Sequence, residues 1–252
     1  MKILLPIILL SFFLSSCEVH KARVMDPGNE KHLPSVGLDI GGKNFLPSDD
    51  KFLESSEITR AYDFIPDEVF KRMEGKSFPK DCQIKREDLS YVKIKHYGFD
   101  GEVHVGELIV NKKIAQAVGG VFADLFNAKY QIEKIRLIDE YDASDEASMK
   151  DNNTSAFCYR KIAGLEKLSM HARGLAIDIN PLYNPCVHYK DGKISKVEPK
   201  EGEAYIERDG SDKRRIKEGD LIIELFKRRG FTWGGDWKTL KDYQHFEFKA
   251  NE

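Results

Sequence analysis

The sequence lacks an excess of positive charge. Its 252 residues include 40 Lys and Arg against 42 Asp and Glu, which gives a formal net charge of -2. Binding to nucleic acid draws most of its affinity from Lys and Arg that neutralise phosphates, so this balance excludes nucleic acid as a main partner. Apolar residues are not scarce: 41% are hydrophobic and 11% aromatic, which excludes a disordered chain and predicts a globular core.

Cysteine is scarce too. The chain has four cysteines, and we find no C-x-x-C motif and no Cys/His cluster, which disfavours a zinc site made of thiolates. Apart from Cys17, three remain (Cys82, Cys158 and Cys186), so at most one disulfide can form in an oxidising compartment. Cys158 and Cys186 lie on either side of the main motif and are either paired or buried as free thiols.

The N-terminus has an apolar run that is too short to cross a bilayer, for which roughly 20 residues are needed. Lys2 precedes the run 3–14, and small residues follow it, as in a secretory signal peptide. The end of this segment, Leu14-Ser15-Ser16-Cys17, resembles the bacterial lipobox, in which the cysteine carries the lipid. We therefore predict a lipoprotein signal peptide at 1–16 and lipidation of Cys17, with plain secretion as the alternative.

Residues 17–60 are polar, are interrupted by Pro and Gly, and show no sustained periodicity. This composition predicts a tether between a lipid anchor and a folded domain at 61–252, whose core spans about 85–250. The expected location is the bacterial cell envelope, where the exported protein is attached to a membrane by its lipid. We expect the domain to be a monomer.

Hydrophobic periodicity from residue 61 onward predicts a mixture of helices and strands. Asn111 is a plausible N-cap, and Gly230 follows a periodic helix as its C-terminal glycine. The predicted elements are a short helix at 65–73, a hairpin of 89–97 and 102–110, a helix at 112–127, a strand at 132–138, a polar loop at 139–155, a helix at 221–229 and a strand at 244–248.

The segment SMHARGLAIDIN, residues 169–180, carries the most chemical information. Its alternation places Leu175, Ile177 and Ile179 on one face of a strand, so Asp178 points away from the core. Gly174 can adopt positive φ, which lets the chain turn and bring His171 back over the strand. An imidazole and a carboxylate on one side of a sheet are suitable ligands for zinc.

The closing strand, 244–248, offers a third ligand. Alternation places His245 and Glu247 on one face, and Asp242 lies three residues before this histidine. Two His, one Asp and a further carboxylate are what a zinc hydrolase needs. The alternatives are ordinary: a lone His is usually a surface or packed residue, and Glu247 is solvated or supports a ligand. Trp233 and Trp237 belong either to the core or to the wall of a pocket.

These motifs resemble those of the zinc D-alanyl-D-alanine carboxypeptidases and dipeptidases, and of their relatives the L-alanyl-D-glutamate peptidases. The family pattern Ser-x-His-x-x-Gly-x-Ala-x-Asp is met from Ser169 to Asp178 without a mismatch, and an acidic residue, two spacers and His are met by Asp242 and His245. The resemblance covers roughly 85–250. It implies the α+β hedgehog/DD-peptidase fold, an antiparallel sheet flanked by helices.

The resemblance also implies the roles of individual residues. Zinc would be held by His171, Asp178 and His245, and Asp242 would be the general base. Many family members have Glu where this chain has Asp242, and the endopeptidase branch more often has Asp, so the cleaved bond stays open. Arg160 would contact the substrate or the developing oxyanion, unless it forms only a surface salt bridge. Further substrate contacts are expected from the set Asn152, Asn153, Ser155 and Trp233.

Three classes of function remain at this stage. The first is a zinc peptidase that acts on the stem peptides of peptidoglycan. The second is a relative that keeps zinc and binds wall peptide without cutting it, and the third is a structural lipoprotein of the envelope. The intact acidic residue Asp242 argues against the second class, and the His171 to Asp178 spacing argues against the third.

Overall fold

The computed structural model describes residues 58–162, 165–208 and 210–249. The predicted signal peptide, the lipidation site Cys17 and most of the predicted tether lie outside these residues. In the described part, no helix combines the length and the hydropathy that crossing a membrane requires.

A three-stranded antiparallel sheet and one long helix form the first half of the core. Strand β1 (Thr59–Ala61) pairs with β2 (Leu89–Tyr97), which pairs along its full length with β3 (Val103–Asn111). Helix α2 (Lys112–Asn127) follows directly, because the Asn111 side chain accepts a hydrogen bond from the Lys113 amide and caps the helix. The periodic apolar residues of α2 are buried against this sheet: Ile114, Val118, Val121, Phe122 and Leu125.

A second antiparallel sheet, with the strand order β6-β11-β9, holds the motif residues. Helix α4 packs beside it, and the ring of Phe226 stacks on that of Phe246 with centroids 4.2 Å apart. Both rings are fully buried, so the sheet is fixed to the core from one side. The elements are β6 (Ala176–Asp178), α4 (Leu221–Lys227), β9 (Phe231–Trp233) and β11 (His245–Phe248).

A third antiparallel sheet has the order β10-β7-β8 and lies next to the motif strands in sequence. Its strands are β7 (Cys186–Lys190), β8 (Lys193–Glu198) and β10 (Leu240–Asp242). The remaining elements are α1 (Asp67–Met73), α3 (Asp145–Lys150), the parallel pair β4 (Lys134–Ile135) and β5 (Asn153–Thr154), and short 3-10 turns at Arg86–Asp88, Ile138–Tyr141, Lys200–Tyr205 and Gly234–Asp236.

The α+β class is confirmed, since helices combine with antiparallel sheets. The described residues form three separate three-stranded sheets rather than the one sheet that the resemblance implied. The predicted strand at 132–138 is wrong over most of its length, because only Lys134–Ile135 forms a strand. The stretch 139–155 is not simply a loop: α3 begins there, where Ser144 accepts a hydrogen bond from the Ala147 amide.

The three cysteines of the described chain are free thiols. The alternative of a Cys158–Cys186 disulfide is therefore not realised. Both thiols are buried, and burial raises the pKa of each above its ordinary value.

Candidate metal centre

The structure brings His171, Asp178 and His245 together. His245 on β11 lies directly opposite Asp178 on β6 in the antiparallel pair, so the two side chains share a face. His245 Nδ1 is 3.0 Å from Asp178 Oδ1, and His171 Nε2 is 3.3 Å from Asp178 Oδ2. The two imidazoles approach with Nε2 and Nδ1 3.2 Å apart. The three side chains form a group of possible metal ligands.

A glycine turn puts His171 over the strand. Gly174 has φ +67° and donates its amide hydrogen to the His171 carbonyl at 2.9 Å. A Cβ on this glycine would lie 2.6 Å from the Asn111 amide nitrogen, so any side chain would collide with the start of α2. The expected sharp turn is confirmed, and its close approach to another part of the chain adds a second reason for glycine.

Hydrogen bonds fix which ring nitrogen of each histidine faces the cluster. His171 Nδ1 lies 2.7 Å from the Ala156 carbonyl, which can only accept, so Nδ1 carries the hydrogen and Nε2 presents a lone pair. His245 Nε2 lies 3.3 Å from a Glu247 carboxylate oxygen, which leaves Nδ1 as the lone-pair nitrogen when the ring is neutral. Two nitrogen lone pairs and the Asp178 carboxylate then face one another with no donor among them. A cation at the centre, either a proton on His245 or a metal ion, satisfies this set of acceptors.

The separations also fit a metal ion. Zinc binds imidazole nitrogen and carboxylate oxygen at about 2.0–2.2 Å, so two tetrahedral ligand atoms should be about 3.3 Å apart. The two nitrogens are 3.2 Å apart, and each lies near a different oxygen of Asp178, His245 Nδ1 at 3.0 Å from Oδ1 and His171 Nε2 at 3.3 Å from Oδ2. Three protein ligands leave a fourth position for water or substrate, as in catalytic zinc sites.

The electrostatics of the cluster favour positive charge at its centre. Burial alone would raise the pKa of Asp178, but His171 and His245 outweigh it and hold this pKa well below its usual value. Burial would lower the pKa of His245, yet hydrogen bonds to Asp178 and Glu247 raise it to about 10. The carboxylates that stabilise a proton on His245 also stabilise a metal cation on the same nitrogen.

Asp242 lies at the end of β10, beside the cluster. Burial raises its pKa to about 6, and the charge of Asp178 also raises it, while His245 and His171 lower it. The Oδ1 atom of Asp242 is buried and has no hydrogen-bond partner among the described residues. A buried carboxylate with a pKa near neutrality and a free oxygen is suited to accept a proton during a reaction.

Arg160 forms an ion pair with Asp145, the first residue of α3. Arg160 thus forms a salt bridge, which was the alternative to a substrate contact, and this salt bridge lies close to the metal cluster. Burial raises the pKa of Asp145, while Arg160 and His171 lower it, so this carboxylate lies within electrostatic reach of the metal cluster. The arginine side chain remains 38% exposed and is available to a ligand at the edge of the site.

The remaining predicted substrate residues occupy different environments. Ser155 bridges to Asp178 through two backbone hydrogen bonds and lies next to the ligand. Asn153 is fully buried, and its amide group bonds the Arg136 backbone and the Ser148 hydroxyl, which gives it a structural role. Asn152 is also buried, and its side chain binds the Leu182 amide and Glu133.

Trp237, rather than Trp233, is the tryptophan whose ring lies beside the metal cluster. Trp233 is only 4% exposed and donates its indole hydrogen to the Tyr243 carbonyl, so it is part of the core. The ring of Trp237 is half-buried and lies 5.2 Å from that of His245, between centroids. The sequence pointed to two tryptophans among glycines but offered no signal that separates them.

Of the two alternatives for Glu247, the structure shows the one in which it supports a ligand. Its carboxylate lies against the His245 nitrogen that points away from the cluster, and this contact lowers the pKa of Glu247. A carboxylate in this position fixes the orientation of a metal-binding histidine and raises its basicity. The alternation of β11 was the available signal, since it placed both side chains on one face.

The fold and the cluster together define an α+β protein with a candidate metal centre of two histidines and one aspartate. The model of the family described as D-alanyl-D-alanine carboxypeptidase matches residues 163–248. The peptidoglycan L-alanyl-D-glutamate endopeptidase CwlK of Bacillus subtilis (strain 168) is 36% identical over 83 residues. These findings confirm the resemblance to this peptidase family that the motifs indicated.

The similarity to the curated relative is partial. The matched stretch is 33% of this chain and spans 41% of the length of the relative. No solved structure matches the chain. All three cluster residues and Asp242 fall within the stretch matched by the family model.

Proposed function

We propose that this protein is a zinc-dependent metallopeptidase that hydrolyses the stem peptides of peptidoglycan, on a hedgehog/DD-peptidase-like fold. The observation that carries the proposal is the convergence of three lone-pair donors, His171 Nε2, His245 Nδ1 and the Asp178 carboxylate, at 3.0–3.3 Å from one another. A metal ion would replace the proton that His245 otherwise carries between these acceptors. The family match over 163–248 supports the same conclusion.

Zinc, when bound by His171, Asp178 and His245, supplies Lewis acidity that polarises the scissile carbonyl and makes water more acidic. Asp242 accepts the proton of the attacking water and passes it to the departing amine, which its free Oδ1 atom and raised pKa allow. Arg160 binds the peptide carboxylate or the developing oxyanion with its guanidinium hydrogens. Trp237 and Ser155 border the bound peptide.

Two peptide bonds are candidates for cleavage, the C-terminal D-alanyl-D-alanine bond and the internal L-alanyl-D-glutamate bond. The family description points to the first, and the name of the curated relative points to the second. The aspartate at 242 favours the internal bond, because the endopeptidase branch that the motifs resemble more often has this residue.

We further propose that the protein works in the bacterial cell envelope, as a monomer attached to a membrane by a lipid on Cys17. The signal-peptide pattern of residues 1–16 supports export, and Cys17 stands where the lipobox requires it. Two or three acyl chains would hold the protein durably, at about 0.8 kcal/mol per buried CH₂. A polar tether would let the domain reach the wall.

Digestion of purified peptidoglycan by the full chain in mild detergent tests this function, with the released fragments identified by mass spectrometry. Release of D-alanine identifies a carboxypeptidase, and stem peptides cut after L-alanine identify an endopeptidase. The matched control is His171→Ala, which should lose both the tightly bound zinc and the activity. If the wild-type chain holds zinc and binds wall fragments but releases nothing, the non-catalytic alternative replaces this proposal.

A further inference from the structure

A second group of possible metal ligands borders the proposed catalytic centre without sharing its ligands, since Cys186 on β7 lies directly opposite Asp242 on β10. It consists of Cys186, His188 and Glu198, whose ligand atoms lie within 4.8 Å of one another. The expectation that the chain has no Cys/His cluster is wrong, because Cys186-x-His188 supplies two of the three members of this group. Its third member comes from the next strand, which sequence spacing does not reveal.

The β-sheet places these residues on one face. Cys186 on β7 lies directly opposite Glu198 on β8, and His188 lies two residues further along β7, so all three side chains point to the same side. The β7–β8 register shifts between His188 and Tyr189, and such irregularities turn a side chain away from the regular pattern. Cys186 is buried, while His188 and Glu198 are half-buried and accessible from solvent.

The three side chains converge on a single atom, His188 Nε2. Cys186 Sγ lies 3.6 Å from this nitrogen, and Glu198 Oε2 lies 2.7 Å from it. In a Cys-His-Glu catalytic triad the thiol and the carboxylate would contact different ring nitrogens, because the imidazole passes a proton between them. Here both contact the same nitrogen, which excludes that arrangement in this conformation. Convergence on one point is what metal coordination requires.

The geometry points to a second divalent-metal site formed by Cys186 Sγ, His188 Nε2 and a Glu198 carboxylate oxygen. Zinc binds sulfur at about 2.3 Å and imidazole nitrogen at about 2.0–2.1 Å, so a tetrahedral S···N separation is about 3.6 Å. The observed S···N separation is 3.6 Å. The N···O separation of 2.7 Å must open by about 0.6 Å to admit the ion.

The donor set selects the class of cation. Thiolate and imidazole favour Zn²⁺, Co²⁺ or a copper ion over Mg²⁺ and Ca²⁺, which take oxygen ligands. The thiol gives its proton to solvent when the metal binds. Glu198 keeps its second oxygen on Lys196 Nζ at 2.7 Å, so the carboxylate is held in place while Oε2 moves from His188 to the ion. The site faces solvent and competes with this ion pair, so it should bind more weakly than the His171 centre.

Cobalt titration tests this site independently of catalysis. The full chain in mild detergent is first given one equivalent of Zn²⁺, which the tighter His171 centre takes, and Co²⁺ is then added while the near-ultraviolet thiolate-to-cobalt charge-transfer band is followed. The proposed catalytic centre has no sulfur ligand, so it cannot produce this band. We expect one additional equivalent of Co²⁺ to bind with the band, and Cys186→Ser to abolish it. The matched control Cys82→Ser removes a free thiol outside the site and should leave the band unchanged.

His188→Ala and Glu198→Gln keep the buried thiol and alter only half-exposed side chains, so they test the site without disturbing the core. Each should weaken Co²⁺ binding at least tenfold. The proposal is overturned if no charge-transfer band appears in the wild type, if the band persists in Cys186→Ser, or if both half-exposed variants bind Co²⁺ as tightly as the wild type.

Discussion

Replacement of Glu247 by Gln should weaken zinc binding without breaking the ligand set. The carboxylate accepts from His245 Nε2 at 3.3 Å, and this contact holds the ring with Nδ1 toward the cluster. Glutamine keeps an oxygen that can accept the same hydrogen bond but removes the negative charge that raises the basicity of the imidazole. The experiment therefore isolates the electrostatic contribution of Glu247.

The structure sets the expected size of this effect. Loss of a carboxylate behind a metal-binding histidine typically costs 10- to 100-fold in metal affinity. The 3.3 Å contact is long for a hydrogen bond, and the Glu247 side chain is 21% exposed, so water screens part of its charge. We therefore expect the lower end of the range, roughly tenfold, which corresponds to about 1.4 kcal/mol.

Competition with a chelator of known zinc affinity measures this change. The matched control is Glu224→Gln, because Glu224 is an exposed carboxylate of α4 that pairs with Arg228 away from the cluster. Circular dichroism should show both variants folded. If Glu247→Gln and Glu224→Gln release zinc at the same chelator concentration as the wild type, the contact with Glu247 does not tune His245, and the reasoning on its ring orientation is wrong.

Three further predictions concern the base, the turn and the anchor. The acid limb of the pH profile of kcat/KM should have its midpoint at or below pH 6, because Asp242 acts as a carboxylate. Burial raises the pKa of Asp242 to about 6, and a bound cation lowers it again. A midpoint above pH 7 would contradict this role. Gly174→Ala should lower the free energy of unfolding, measured in urea, by more than Gly75→Ala does. Both glycines have positive φ, which costs alanine about 1–2 kcal/mol, but only at Gly174 would the added Cβ meet a neighbour, at 2.6 Å. Equal losses in the two variants would refute the close approach at Gly174. Cys17→Ser should move the protein from the detergent phase to the aqueous phase on phase partitioning, and unchanged partitioning would leave a secreted protein without a lipid.

Local patterns predicted those parts of the fold that local interactions determine. The strand Leu89–Tyr97 and the helix Lys112–Asn127 were predicted with their observed bounds, because alternation, periodicity and the Asn111 cap all lie within the segment itself. The predicted strand at 132–138 is wrong because tertiary packing, and not a local pattern, determines this segment. Its apolar residues Ile132, Ile135 and Leu137 are buried by tertiary packing, without a partner strand along most of the segment.

The same distinction between local and tertiary information applies to the two sites. The spacing from His171 to Asp178 and the alternation around His245 are local, so the three residues could be selected before the structure brought them together. Choosing between Trp233 and Trp237 required knowing which ring the core buries. The Cys186 group required the register of β7 with β8, which depends on strand pairing rather than on sequence spacing.

A paired measurement on Asp242→Asn tests whether Asp242 is the general base of a zinc peptidase, with zinc content and hydrolysis of wall peptide determined on the same preparation. Asparagine keeps the size of the side chain but removes its basicity. We expect tightly bound zinc to stay at one ion per chain while turnover falls by roughly 100-fold or more, the scale for losing a general base. Cleavage at the wild-type rate would contradict the assignment of Asp242 as the base, and loss of zinc would show that Asp242 is a ligand instead.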